Sequence, residues 1–252
     1  MDSSCPVVKT ARPTHHEPTH ATQTMIDLAP SDWVAIRLTL KLGLYTTAIL
    51  LLIGTPLAWW LAGGRSPLRT AVQAVVALPL VLPPTVLGFY LLILLGPRGW
   101  VGGTLEAMGF PHLAFTFSGI LIGSVLYSLP FAIQPLYQAF AALGRRPAEV
   151  AASLGAGPLD RFFTVILPLT RGGFIVAATL SFAHTLGEFG VILMLGGSIP
   201  GRTKVLSVLI YDHAEAMNVA AAHQLSLLLL AFAFLVLFIV YAVHRRFDVV
   251  RP

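Results

Sequence analysis

The chain has 252 residues, a formal net charge of +5 at pH 7, 56% hydrophobic and only 11% charged residues, and one cysteine. Soluble domains carry about 25% charged residues, so this composition cannot coat a water-facing surface, and its apolar content is equally foreign to a disordered chain. Cys5 alone excludes a disulfide framework and a Cys-rich metal site, which leaves a polytopic membrane protein whose basic excess reports loop topology rather than nucleic acid.

Residues 1–30, rich in Thr, Pro and His and without periodicity, read as a disordered tail, and they lack the basic start and apolar run of a signal peptide. His15, His16 and His20 in that tail read as solvated rather than as metal ligands. Residues 31–247 are expected to form one transmembrane unit, and residues 248–252 a short cytoplasmic tail.

A helix rises about 1.5 Å per residue, so about 20 apolar residues cross a hydrocarbon core of about 30 Å. Five stretches meet that length, at 42–62, 71–95, 113–140, 174–195 and 225–243. Of the 16 Lys and Arg and 11 Asp and Glu, only Glu188 falls inside them, as burial in hydrocarbon demands. The runs are continuously apolar instead of alternating, so the expected fold class is all-α, with helices rather than a barrel.

Arg65, Arg69, Arg145, Arg146, Arg161, Arg171, Arg245, Arg246 and Arg251 follow spans one, three and five, against Arg98, Arg202 and Lys204 in the opposite loops. Basic residues favour the cytoplasmic side, so the C-terminus is expected inside and the N-terminus outside. Lys9, Arg12, Arg37 and Lys41 are the exceptions.

The connection between spans three and four, 141–171, is the longest informative loop. Pro147 at a helix start, a helix-forming run to Leu154 and the stop Gly155-Ala156-Gly157-Pro158 predict a helix of about two turns, too short to span. Ala151, Ala152 and Gly155 lie at a small-residue spacing that would let another surface approach the backbone. Glu149 sits in the first turn, where the helix dipole favours a carboxylate. Phe162, Phe163, Val165, Ile166 and Leu167 then form an amphipathic stretch suited to the membrane boundary, and Pro168 is expected to reset the chain before span four. From the residues alone this is a basic loop with an interfacial helix or a docking segment.

From Glu149 to Pro168 the loop resembles the cytoplasmic motif of ATP-binding-cassette importer permeases, which runs Glu-Ala-Ala, three residues, Gly, nine residues, Ile, any residue, Leu-Pro. Glu149, Ala151, Gly155, Leu167 and Pro168 match in register, and Val150 and Val165 are conservative departures. The resemblance implies that Glu149, Ala151, Ala152, Gly155, Leu167 and Pro168 belong to a coupling helix that docks on a separate ATPase subunit. It further implies a second permease copy, a periplasmic or extracellular binding protein, and ATP held by the partner, with no cofactor in this chain.

Leu78 to Leu92 in span two, the outer loop L-G-P-R-G-W-V-G-G, Gly187 to Gly190, and S-D-W-V-A-I-R-L-T-L-K before span one look like the molybdate branch of that family, with sulfate and tungstate as near relatives. The resemblance covers about residues 30–247 and implies residence in a bacterial inner membrane.

Within the spans, Pro79, Pro83 and Pro84 interrupt the second helix near mid-membrane. The bland reading is a packing kink. The sharper one is that a half-helix beginning near Thr85 aims free N–H groups at the path of an oxyanion without a cation to trap it. His184 and Glu188, four residues apart, are expected to share a face of span four and to form a structural hydrogen bond or a gate contact. Gly196 to Thr203 resembles a phosphate-binding loop, but it has Arg202 where Lys is needed and no preceding strand. Asp212, His213 and Glu215 read as a solvated helix face rather than a metal site. A secondary transporter would show internal repeats or buried coupling charges, and an intramembrane enzyme would need a buried nucleophile and base. The residues offer neither beyond His184 and Glu188.

Overall fold

The computed structural model describes residues 29–248, with side chains described to residue 242. The expected N-terminal tail with its histidines and Cys5, and the last residues of the C-terminal tail, lie outside that range. Among the described residues all regular structure is helical.

Helix α1 spans Pro30–Ala62, beginning well ahead of residue 42. Proline sits in its first turn, and Asp32 Oδ2 accepts the Ala29 N–H at 2.9 Å to cap it. Its 33 residues rise about 50 Å, more than the hydrocarbon thickness. Arg37 and Lys41 therefore ride on the first helix rather than on a tail, and Lys41 Nζ lies 4.7 Å from the Phe117 ring centroid.

The second span is two helices, α2 (Pro67–Val81) and α3 (Pro84–Leu95). Leu82 precedes Pro83 and takes an extended ψ of 135°, as a residue before proline is driven to do. The two prolines also supply no N–H to continue the ladder. The short α4 (Trp100–Ala107) follows, and then α5 (Phe117–Leu143), capped by Thr116 Oγ1, which accepts the Gly119 N–H at 3.1 Å.

A short helix, α6 (Arg146–Ser153), occupies the predicted position of the loop helix, and α7 (Pro158–Arg161) follows it. A π turn at Phe162–Ile166 then leads without a break into α8 (Leu167–Gly187). Pro168 therefore does not reset the chain. The Leu167 N–H reaches back to the Phe162 carbonyl, and this wider turn passes a proline whose ring would otherwise collide with the carbonyl four residues earlier. Span four is completed by α9 (Gly190–Gly196), and the chain ends in α10 (Leu206–Glu215) and α11 (Val219–Asp248).

Five helical stretches among the described residues are long and apolar enough to cross a membrane: Pro30–Ala62, Pro84–Ala107, Phe117–Leu143, Pro158–Gly187 and Val219–Ala242. Pro84–Ala107 joins α3 to α4 across a turn, and since α3 on its own rises only about 18 Å, α2 shares the second crossing. The centre of the bundle is α5, against which α1, α2, α8 and α9 pack, while α11 lies at the edge on α8 and α10.

One end of the bundle closes over Leu61, Val76, Leu136, Phe140 and Ile166, with Trp59 edge-on to Phe140 at 5.2 Å. Ala62, Val72, Leu143, Ala148 and Phe162 pack on the same cluster, so the connections carrying Arg65, Arg69, Arg145, Arg146 and Arg161 share this end. The opposite end closes over Leu42, Ile120, Ile192, Val205 and Val208. Lipid removes much of the hydrophobic drive between helices, so close approach through small residues takes over. A methyl group at Gly88 would lie 2.8 Å from Met194 Cβ, which brings α3 hard against α9.

Candidate functional site

Two regions carry the residues singled out in the sequence. The first is α6 and the π turn beneath it. The Glu149 N–H bonds the Arg145 carbonyl at 3.1 Å, and Arg145 Nε stands 3.8 Å from Glu149 Oε1 on the exposed surface, a pairing worth a few tenths of a kcal/mol. The small residues do not form one outward stripe. Ala151 is only 9% exposed and turns toward the chain's own base, whereas Ala152 and Gly155 remain exposed. The outward side instead presents Val150, Leu154 and Leu159, which are 59%, 83% and 75% exposed.

Gly155 has φ +87°. The Gly155 N–H bonds the Ala152 carbonyl and the Ala156 N–H bonds the Ala151 carbonyl, both at 3.0 Å, the paired closure of a helix by a left-handed residue. No atom lies within 4 Å of a methyl group added there, so backbone conformation rather than a neighbour in this chain requires glycine. Beneath α6, Ala148, Phe162 and Ile166 share one cluster with Phe140 of α5 and Ala177 of α8. Leu167 is half-buried and Pro168 exposed.

The second region is where the broken spans meet. Pro83 precedes α3 and Pro84 opens it, so neither has a donor, and the N–H groups of Val86 and Leu87 both bond the Pro83 carbonyl, at 3.0 and 3.3 Å. Of the free N–H groups expected near Thr85 only that of Thr85 itself is left, because the prolines have no donor and the next two N–H groups turn back on Pro83. Beside this tip begins α9: a methyl group at Gly190 would lie 2.7 Å from Pro84 Cβ and 3.6 Å from the Thr85 nitrogen.

His184 and Glu188 do not share a helical face. The helix ends at Gly187, and Glu188 turns extended with ψ 126°. His184 Nδ1 lies 2.9 Å from Ser128 Oγ, which is also 3.2 Å from Thr185 Oγ1, and the imidazole stacks on Phe131 at 4.0 Å between centroids. The Glu188 backbone carbonyl accepts the Ser207 hydroxyl at 2.6 Å. Its carboxylate is buried, and neither oxygen has a hydrogen-bond partner among the described residues. Thr46, Ser124 and Ser181 hydroxyls are buried and unpaired in the same way, with Ser124 facing the carboxylate outside bonding geometry. These hydroxyls escaped a reading based on charge. Their signal is the recurrence of Ser124 with Ser128 on α5, and of Ser181 with Thr185 on α8, one helical turn apart.

The remaining loop satisfies itself. The N–H groups of Arg202, Thr203 and Lys204 all bond the Ile199 carbonyl, which leaves no cradle for a phosphate. Asp212 Oδ2 accepts Lys204 Nζ at 2.7 Å and the Ser198 hydroxyl at 2.6 Å, and Glu215 accepts the Tyr211 hydroxyl at 3.2 Å.

The model of the family described as binding-protein-dependent transport system inner membrane component matches residues 54–249. The chain is 58% identical over 221 residues to the molybdenum transport system permease protein ModB of Azotobacter vinelandii, covering 88% of this chain and 97% of that relative. It is 34% identical over 219 residues to a probable sulfate transport system permease protein cysT of Helicosporidium sp. subsp. Simulium jonesii, covering 85% and 79% respectively. Among solved structures, the fold matches a bacterial ABC transporter involved in the import of the acidic polysaccharide alginate. The TM-score is 0.71 at 19% identity, covering 87% of this chain and 80% of that chain, which is a likeness of fold alone.

Proposed function

We propose that this chain, which belongs to the family of binding-protein-dependent transport system inner membrane components, imports molybdate. It is a multi-pass inner membrane permease of an ABC import system. The observation that carries the substrate is the 58% identity across 97% of a relative named for molybdenum transport, against 34% to one named for sulfate transport.

In this reading a separate ATPase subunit grips the outward side of α6, where Val150 and Leu154 stand exposed on a helix held from below by Ala148 and Ile166. Movement of α6 passes through Phe162 and Ile166 into α8, so nucleotide chemistry in the partner tilts a spanning helix. ATP stays with that partner, and this chain holds no cofactor. The arginine-bearing end faces the cytoplasm, with the N-terminus outside, and a periplasmic or extracellular binding protein delivers the anion at the opposite end. Five spans line half a path, and a second copy of the chain supplies the other half. The paired tips of α3 and α9, with Pro83, Pro84 and Thr85 on one and Glu188 at the root of the other, act as the gate, and His184 positions the wall through Ser128.

Cells lacking this chain and given labelled molybdate, tungstate or sulfate test the reading. Molybdate uptake is expected to fall to background and to return with the intact gene. Loss of sulfate uptake alone would reverse the assignment in favour of the sulfate branch.

A further inference from the structure

Between α2 and α5 lies a groove whose lining includes none of the residues of α6 or of the tips of α3 and α9. It comprises two adjoining cavities, of about 410 and 290 Å³, which share Gln134 and Gln138. Along α2 they run from Thr70 past Gln73 to Leu80, about 15 Å at helical rise. The smaller volume equals that of about ten water molecules at liquid density, room for an oxyanion with part of its hydration shell.

The lining is unusual for a membrane interior. Gln134 and Gln138 sit one turn apart on α5 and are exposed, while Ile133 and Leu136 on the same helix are 2% and 0% exposed. Among the described residues, the amides of Gln73, Gln134 and Gln138 form no hydrogen bond within the chain. Hydrocarbon cannot satisfy an amide, so these groups must face water or a polar visitor. The residues lining the two cavities include no Asp, Glu, Lys or Arg.

We infer that this groove is a transit site for the imported tetrahedral oxyanion. Each glutamine amide offers two N–H donors and the Tyr137 hydroxyl adds one, while the Thr70 hydroxyl on the same wall already donates to the Ser66 carbonyl at 3.2 Å. Neutral donors aimed at an oxyanion replace water without the Coulombic grip of a cation at low dielectric, so the ion is held and then let go. Gln134 and Gln138 are about 6 Å apart along the helix, close enough for the anion to exchange one amide for the next. At the far end Phe131 lines the smaller cavity with Leu80 and Leu180, and its ring lies against His184. That apolar collar bounds the groove on the side of His184. The inference rests on the import reading above and adds to it a place where the ion pauses.

The test uses the complete transporter, with its ATPase and binding protein, in ATP-loaded vesicles supplied with labelled molybdate. Gln134→Glu and Gln138→Glu keep side-chain size but place a carboxylate against the dianion. Each is expected to slow uptake at least tenfold while assembly and binding-protein-stimulated ATP hydrolysis stay within twofold of the unaltered transporter. Gln138→Asn, which retains the amide, is expected to transport within threefold. Uptake within twofold for both Glu variants overturns the inference while leaving the import reading intact. Loss of the second copy or of the ATPase from the Glu variants and from Gln138→Leu also overturns it, making the amides a contact between copies. If the unaltered transporter moves sulfate or tungstate but not molybdate, the substrate reading fails, and the same variants judge the groove with the anion that is moved. An unaltered transporter that moves none of the three overturns both.

Discussion

The two ends of the bundle are built on opposite principles. At the α6 end a short helix stands clear of its surroundings, with Leu154 83% exposed and empty space around Gly155. At the other end the half-helices α3 and α9 are jammed together through Gly88 and Gly190, and the neighbouring loop pairs Lys204 with Asp212 at 2.7 Å. One end leaves the apolar side chains of a short helix uncovered, whereas at the other two half-helices press on each other and the loop charges pair within the chain, although Glu188 stays without a partner among the described residues. On the proposed function, the first is the helix that the ATPase grips and the second the joint that stays aligned, and the two constructions suit those tasks.

Crowding the joint should have the largest effect on the chain itself. Gly88→Val puts side-chain atoms where Met194 and Val191 already sit, and overpacking of this kind costs about 1–3 kcal/mol. A clear drop in melting temperature in detergent is expected, together with loss of transport. A melt equal to that of the unaltered protein would remove the close packing from the account.

At the α6 end the matching change is Gly155→Val, where nothing is crowded but φ is +87°. The left-handed backbone costs a branched side chain about 1–2 kcal/mol, confined to one corner. Coupling of ATP hydrolysis to transport should fail while the bundle melts nearly as before. Retained coupling would show that the corner tolerates another shape.

Smaller still is the effect at Asp212. Burial pushes its carboxyl up, but the bonds from Lys204 and Ser198 outweigh this and hold it below the usual carboxylate range. A group lowered in the folded state stabilises fully above its unfolded value, about 3.9, and loses that contribution as pH falls through the lower folded value. Asp212→Asn should therefore cost about 1 kcal/mol at neutral pH, and the deficit should vanish in acid. A deficit that grows as pH falls would contradict the pairing.

The least change in stability is expected from Glu188→Gln. The replaced carboxylate has no partner among the described residues, so an amide of the same shape removes no bond and spares the cost of burying a charge. The variant should melt at or above the unaltered protein, and a melt lower by several degrees would reveal a partner for the carboxylate.

Much of this architecture was legible in the residues, and the failures have definite causes. Hydropathy located the five crossings, and Pro147 with Gly155 bracketed α6 within a residue or two, because proline and glycine act locally. Hydropathy does not show the start of α1, because Arg37 and Lys41 end an apolar run without ending a helix. The π turn hid the continuity past Pro168, since proline ordinarily stops a helix. Helical spacing pairs His184 with Glu188, four residues away, whereas its partner Ser128 is 56 positions distant in sequence. Spacing along one helix says nothing about a neighbour supplied by another.

On the proposed function, the exposed apolar side of α6 is the handle for the ATPase. Co-purification of that subunit with the unaltered permease and with Leu154→Asp is the decisive comparison. Leu154 is 83% exposed, so the substitution should leave the melt of the permease unchanged while reducing ATPase recovery at least tenfold. Full recovery of the ATPase with Leu154→Asp would contradict the account.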